Sequence, residues 1–266
     1  MTDKDLITRA KGLIHKEKET YVSSRKPTSL GEAKKLIDSA KSGLDVYINF
    51  DTTGSMHSYI SAVRDNLETV TDALLNEDSI RLSINGIGDH CDGEDWIQMY
   101  ALTNSPEETR GAIESIRGTY GGDEPEAYEC WALALAKRIP KESVGRKRAV
   151  VLVADSVPHG MIDSECSHAG SYQQAFEALK TLSDGFYFVG CNPQMYSLQK
   201  QLIDPDRKDK EQFISLDDMV DVLPELLVAL AKKTESETVL RKYLEKLGLE
   251  KPEGARKVHG LLTAGR

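Results

Sequence analysis

The chain has 266 residues, 39% of them hydrophobic and 29% charged, and its formal net charge at pH 7 is −9. This composition suits a soluble globular protein with a substantial core. The negative charge argues against nucleic acid as a partner, because phosphate binding needs a basic surface. No apolar run approaches the roughly 20 residues that cross a bilayer as a helix, so we expect no membrane partner.

The cysteines and the N-terminal segment predict a cytoplasmic location. The four cysteines form no C-x-x-C pair, so we expect free thiols in a reducing compartment. Residues 1–20 carry charges throughout and lack the apolar segment of a secretory signal.

Residues 1–43 are expected to form a helical extension. Apolar residues recur at helical spacing on both sides of the break SSRKPTS. Two helices packed on the main domain explain this pattern, and the sequence assigns the extension no role.

Residues 44–233 are predicted to form one α/β domain. Short apolar runs alternate with segments of helical periodicity, which predicts a doubly wound, mostly parallel, six-stranded Rossmann-like sheet covered by helices. The loop DHCDGED is too short for a parallel crossover and predicts one antiparallel edge strand. The expected strands are 45–50, 80–88, 96–102, 148–154, 185–190 and 212–216.

Residues 234–266 are predicted to form a C-terminal helix followed by a tail. Leu240, Tyr243, Leu244 and Leu247 form one helical stripe. The segment EKPEGARKVHGLLTAGR carries several Gly, Lys and Arg residues, and we expect it to be loose.

Oxygen-bearing side chains collect where the predicted strands end. In an open α/β sheet, ligands bind outside the carboxyl ends of the strands. These side chains include no cysteine or histidine, which is the ligand chemistry of Mg²⁺, Ca²⁺ or Mn²⁺. They are Asp51, Thr53 and Ser55 after the first strand, Asp155 and Ser156 after the fourth, and Asp123, Glu124 and Glu126 in GTYGGDEPEAYE.

Three segments in chain order resemble the loops of a known family. DTTGS, residues 51–55, resembles the D-x-S/T-x-S metal-ion-dependent adhesion site of von Willebrand factor A domains. GGDEPE resembles the D-x-P-E loop of the integrin β-subunit version, and ADSVPHG resembles the third loop, usually T-D-A/S-x-P-H. The resemblance covers about residues 44–233 and implies a doubly wound sheet with a single divalent-cation site at its top.

The resemblance also implies a set of ligands and a mode of action. Asp51, Thr53 and Ser55 match the first motif, and Asp155 matches the third-loop aspartate. Glu126 is the favoured second-loop ligand, and Asp123 is the alternative because many family members have a threonine at its position. The implied function is protein recognition without catalysis: a partner protein's glutamate or aspartate completes the coordination of Mg²⁺, or of Mn²⁺ or Ca²⁺, in regulation or assembly.

Two other functions remain open at this point. Asp51 at a strand end could be the nucleophile of a Mg²⁺-dependent phosphohydrolase. Such enzymes have D-x-D at this position, however, and residue 53 is threonine. The domain could also be a structural member of the family that holds no metal, with Asp51, Thr53 and Ser55 forming only a helix N-cap.

A zinc site is not predicted. His90 and Cys91 lie in one short loop, and Cys166 and His168 lie in another. Neither pair is accompanied by a second close pair of ligands, so the sequence favours solvated loops.

Overall fold

The computed structural model describes residues 43–75, 79–122, 124–217 and 219–264. The predicted N-terminal extension, apart from Gly43, lies outside the described residues. The helices and strands follow one another as β1 (Leu44–Asp51), α1 (His57–Asp65), α2 (Leu67–Leu75), β2 (Ile80–Ile87), β3 (Ile97–Met99), α3 (Pro106–Ser115), β4 (Pro125–Glu126), α4 (Tyr128–Glu142), β5 (Lys147–Ala154), β6 (Val157–Pro158), α5 (Tyr172–Leu182), β7 (Gly185–Gly190), α6 (Tyr196–Gln199), β8 (Glu211–Ser215), α7 (Leu223–Glu235), α8 (Glu237–Glu250) and α9 (Pro252–Ala264).

The main sheet has six strands in the order β3-β2-β1-β5-β7-β8. Each neighbouring pair is parallel except β2 and β3, which are antiparallel. All eight residues of β1 are buried, because helices cover both faces of the sheet. The predicted fold class and the antiparallel edge strand are confirmed.

Alternate residues of β1 enter two different cores. Val46, Ile48 and Phe50 belong to the core that includes residues of α1, α2 and α7. Tyr47 points to the opposite face and belongs to the core that α4 and α5 cover. This follows from the two-residue period of a strand.

A buried amide fixes helix α4 against the centre of the sheet. Asn49 Nδ2 donates to the backbone oxygen of Val151 at 2.9 Å. Asn49 Oδ1 accepts from Asn85 Nδ2 at 2.9 Å and from Trp131 Nε1 at 3.0 Å. Because Trp131 lies in the first turn of α4, this network positions the start of that helix and the loop before it.

The expectation of a loose tail is wrong for residues 252–264, because these residues form helix α9. Pro252 is the first residue of the helix, where its fixed φ and missing N–H are tolerated. Val258, Leu261 and Leu262 are buried on one face of α9. This apolar stripe outweighs the glycines and charges on which the expectation rested.

Candidate metal centre

Two loops meet at the carboxyl ends of neighbouring strands. Asp51 is the last residue of β1, and Asp155 directly follows β5. β1 and β5 pair in parallel with Phe50 opposite Val153, so both strands end at the same edge of the sheet. Asp51 is fully buried and Asp155 is partly exposed.

The Asp51 carboxylate is held by three hydrogen bonds. Its Oδ1 accepts from the backbone N–H of Thr53 at 2.8 Å and from Thr53 Oγ1 at 2.7 Å. Its Oδ2 accepts from the hydroxyl of Tyr128, at the start of α4. Because Thr53 Oγ1 acts as a donor to Asp51, its lone pairs remain for another partner.

The other hydroxyls of DTTGS differ in role. Thr52 is buried; its Oγ1 donates to the backbone oxygen of Ile87 at 2.9 Å and contacts Thr119 Oγ1 at 2.9 Å. Thr52 therefore ties the loop after β1 to the end of β2 and to the loop before β4. Ser55 is exposed, in the single 3₁₀ turn Gly54–Met56.

A short two-stranded sheet joins the second and third loops. In the parallel pair β4–β6, Pro125 lies opposite Val157 and Glu126 opposite Pro158. The hydroxyl of Ser156 also donates to the backbone oxygen of Glu124. Glu126 and Asp155 are therefore carried by segments that are hydrogen-bonded to each other.

Glu126 carries a buried carboxylate oxygen that lacks a partner. Glu126 as a whole residue is 4% exposed, and its Oε2 has no hydrogen-bond partner among the described residues. A Cβ built on Gly121 would lie 3.0 Å from Glu126 Oε1 and 3.2 Å from Thr53 Cγ2. Gly121, at φ +62°, therefore allows its loop to pass close to both residues.

Burial and mutual repulsion perturb these carboxyl groups. The pKa of Asp51 is raised to about 7, chiefly by burial and then by the charge of Asp155, and the hydrogen bonds from Tyr128 and Thr53 oppose the rise. The pKa of Glu126 is raised to about 10, chiefly by burial and then by the charge of Asp51 and of further aspartates. A bound cation would reverse both effects, since it favours the charged form of each group.

The structure brings four of the predicted residues together: Asp51, Thr53, Glu126 and Asp155. Ser55 follows on the exposed turn, and Asp123 lies outside the described residues. Metal coordination by these residues stays a prediction. The donor set fits a hard cation, because it consists of oxygens and includes the unpartnered Glu126 Oε2.

Sequence reasoning missed three residues around this site. Tyr128 binds Asp51, and the charges of Asp89 and Asp92 act on Glu126. Asp92 Oδ1 also accepts from the backbone N–H groups of Tyr120 at 2.9 Å and Gly121 at 3.2 Å. The acidic segment DHCDGED follows β2, which pairs with β1, and this position could have indicated that Asp89 and Asp92 lie near the site.

The expectation of a solvated loop is wrong for Cys166, and the loop that carries His90 lies beside it, although Cys91 and His168 are exposed. Cys166 is buried, and its Sγ lies 3.5 Å from both His90 Nε2 and Cys130 Sγ. The sequence pattern failed because Cys130 comes from helix α4, far from both loops along the chain. His159, from the third loop, contacts Glu129 through Nδ1 at 3.0 Å.

Comparison with known proteins agrees with this architecture. No family model and no curated protein matches the sequence. Among solved structures, the pilus adhesin SpaC from Lactobacillus rhamnosus GG in its open conformation is similar with a TM-score of 0.52 and 13% identity, over 76% of this chain and 30% of that one. A von Willebrand factor type A structure from Catenulispora acidiphila has a TM-score of 0.52 and 16% identity, over 73% of this chain and 43% of that one.

The matched region spans less than half the length of either neighbour. At such identities, the similarity establishes the fold alone. No helix within the described ranges is both long enough and apolar enough to span a membrane. The strand order, the covering helices and the similarity to a solved von Willebrand factor A structure together give this chain the fold of a von Willebrand factor A domain.

Proposed function

We propose that this domain is a metal-dependent protein-recognition module. A divalent cation, Mg²⁺ or else Mn²⁺ or Ca²⁺, binds at the carboxyl ends of β1 and β5. Asp51, Thr53, Ser55, Glu126 and Asp155 hold it, and a glutamate or aspartate of a partner protein completes its coordination. The role is regulatory or assembly-related.

The observation that supports the proposal most is the burial of one Glu126 carboxylate oxygen without a hydrogen-bond partner. A buried carboxylate oxygen without a partner is costly, and Glu126 Oε2 is such an atom among the described residues. Asp51 and Asp155 raise the cost further through their charge. A divalent cation would place positive charge beside these three side chains and offset their mutual repulsion.

Each residue has a distinct part in this scheme. Asp51 is oriented by Tyr128 and Thr53, so its carboxylate is fixed before a ligand arrives. Thr53 and Ser55 supply neutral oxygens, which leave the cation part of its charge. When bound, the cation acts as an electrophilic centre that attracts an external carboxylate.

The surface around the site suits a protein partner. Tyr120 is 96% exposed, although its backbone is held by Asp92. An exposed tyrosine on a fixed backbone is a favourable anchor for an interface, since its contact area costs little conformational entropy. Ser55 and Glu124 are also exposed.

Calorimetry with Mn²⁺ and Mg²⁺ tests the metal site. The wild-type protein should release or absorb heat with a stoichiometry near one, and Asp51→Asn should not. A folded wild-type protein that binds neither ion would contradict the proposal and favour a metal-free structural domain.

A pull-down tests recognition. A partner should be retained in Mg²⁺ and lost in chelator or with Asp51→Asn, and Tyr120→Ala should weaken its retention without weakening Mn²⁺ binding. Equal recovery with Mg²⁺ and with chelator would count against metal-dependent recognition.

The hydrogen bonds of Asp51 favour binding over nucleophilic catalysis. Both of its carboxylate oxygens already accept hydrogen bonds, which lowers their nucleophilicity. An assay with a generic phosphate ester separates the two functions: turnover that disappears in Asp51→Asn would support the phosphohydrolase.

A further inference from the structure

We infer that the protein carries a second metal site, for zinc, formed by His90, Cys130, Cys166 and Glu129. These residues come from three segments: the acidic loop after β2, the first turn of α4 and the loop between β6 and α5. One potential ligand atom from each lies within 4.8 Å of every other. The inference is independent of the site around Asp51, because the two sites share no ligand.

The distances among the two cysteine sulfurs and the histidine nitrogen match a tetrahedral zinc site. Zn–S bonds of about 2.3 Å and Zn–N bonds of about 2.0–2.1 Å place two sulfurs about 3.8 Å apart and a sulfur and a nitrogen about 3.6 Å apart. The sulfurs of Cys130 and Cys166 are 3.5 Å apart. His90 Nε2 lies 3.2 Å from Cys130 Sγ and 3.5 Å from Cys166 Sγ.

The identity of the ligands selects the metal. Two sulfurs and one imidazole favour zinc over Mg²⁺ or Ca²⁺, which prefer oxygen. The oxygen-only site around Asp51 has the opposite preference. The two sites therefore differ in the metal that each would take.

Glu129 is better placed for the fourth position than His168. Glu129 is fully buried and lies within 4.8 Å of the other three ligand atoms. His168 Nδ1 lies 3.8 Å from Cys166 Sγ, but its side chain is exposed. His168 is therefore the competing fourth ligand, and a variant can test it separately.

The surroundings provide both support and access. Glu129 Oε1 contacts His159 Nδ1 at 3.0 Å, and Glu129 Oε2 accepts from the backbone N–H of His159 at 3.2 Å. Such outer hydrogen bonds orient a metal ligand. A surface cavity of about 500 Å³, lined by His90, Cys130 and His168 among others, gives an ion a route in.

Bound zinc would join three segments that also shape the site around Asp51. His90 follows Asp89, Cys130 lies two residues after Tyr128, and Cys166 belongs to the loop that continues from β6. The expected role is structural, because the proposed site is closed by four protein ligands.

Metal analysis of the full chain, purified under reducing conditions without chelator, tests the inference. We expect about one zinc per chain in the wild type. Zinc should be absent from the Cys130→Ser/Cys166→Ser double variant. The matched controls Cys91→Ser, next to His90 but exposed, and Cys191→Ala, buried elsewhere, should retain it.

Cobalt substitution provides a readout of the ligands themselves. Co²⁺ added to metal-free protein should give the d–d bands of tetrahedral coordination and sulfur-to-cobalt charge transfer. The double variant should show neither. His90→Ala should weaken zinc binding by more than about 100-fold, since even outer partners of a metal ligand contribute about 10–100-fold. Glu129→Gln should weaken binding more than His168→Ala; the reverse order would place His168 in the fourth position and overturn the assignment of Glu129.

Two results would overturn the inference. One is a folded, fully reduced wild type, judged by circular dichroism and a count of free thiols, that binds neither Zn²⁺ nor Co²⁺. The other is undiminished zinc in a folded Cys130→Ser/Cys166→Ser variant. With Mg²⁺ kept in excess so that the site around Asp51 stays loaded, a zinc-selective chelator should also lower the melting temperature of the wild type and leave that of the double variant unchanged.

Discussion

Replacing Glu126 with glutamine should abolish stabilisation by Mg²⁺ while leaving the metal-free protein almost as stable as the wild type. The pKa of Glu126 is raised to about 10, so at about pH 7.5 without metal the group is a neutral acid. Glutamine is close to that neutral acid in size and polarity. It removes, however, the negative oxygen that we propose as a ligand.

The size of the effect follows from linkage. A cation at 100 times its dissociation constant stabilises the folded state by about 2.7 kcal/mol. For a domain of about 150–250 residues, each kcal/mol corresponds to about 2–4 °C in melting temperature. Wild type should therefore gain about 5–11 °C on addition of saturating Mg²⁺, and Glu126→Gln should gain little of this.

The assay is thermal unfolding followed by circular dichroism on protein stripped of metal with chelator, before and after addition of excess Mg²⁺, so that neither sample contains zinc. Glu124→Gln is the matched control, because Glu124 is exposed two residues away, and it should behave as wild type. An equal Mg²⁺-dependent rise in wild type and Glu126→Gln would refute the assignment of Glu126. A Glu126→Gln protein that is several kcal/mol less stable than wild type in chelator would refute the reasoning about its charge state.

Three further predictions concern the same fold. The pKa of Asp51 is about 7 in the folded protein and 3.8 for the free side chain, so protonated Asp51 stabilises the metal-free fold below about pH 4, and this stabilisation is lost as the pH rises to about 7. Urea unfolding in chelator should therefore show that the wild type loses stability relative to Asp51→Asn between these pH values. The opposite trend would contradict the raised pKa. Gly121→Ala should destabilise the protein by about 1–2 kcal/mol, because an L-residue is strained at φ +62°. The same substitution should weaken Mn²⁺ binding in calorimetry; unchanged binding would show that the loop containing Gly121 does not shape the site. Asp45→Asn should cost about 3 kcal/mol in urea unfolding, because it breaks the ion pairs of the buried Asp45 carboxylate with two partly exposed arginines. Mn²⁺ affinity should stay unchanged, because Asp45 lies at the other end of β1; a loss of stability below about 1 kcal/mol would contradict the prediction.

The sheet could be predicted from the sequence because its signal is local. Apolar runs of strand length, separated by helical periodicity, gave each of the six strands within a few residues of its observed bounds. The third strand was predicted at 96–102 and is observed at Ile97–Met99. The strand is shorter because side chains of β2 take the place of backbone hydrogen bonds at Tyr100. Asn85 Oδ1 accepts from the backbone N–H of Tyr100 at 3.0 Å, and Ser83 Oγ donates to the backbone oxygen of Tyr100 at 2.8 Å.

The candidate sites could be predicted only in part, because they depend on contacts between distant segments. Strand ends in a parallel sheet share an edge, so the nearness of Asp51 and Asp155 was predictable. The cysteine and histidine cluster was not. Cys130 is separated by 40 residues from His90 and by 36 from Cys166, and no local spacing indicates that they meet.

Helix α7 is enclosed on every side, and this makes the C-terminal helices part of the domain's architecture. Every residue from Leu223 to Thr234 is buried, including Lys232 and Lys233. Leu240 and Leu247 of α8 and Val258 and Leu261 of α9 belong to the same core as α7. A chain shortened after Glu235 would expose to water the side chains of α7 that α8 and α9 now cover, so the smallest part of the chain that can fold independently extends well beyond the last strand.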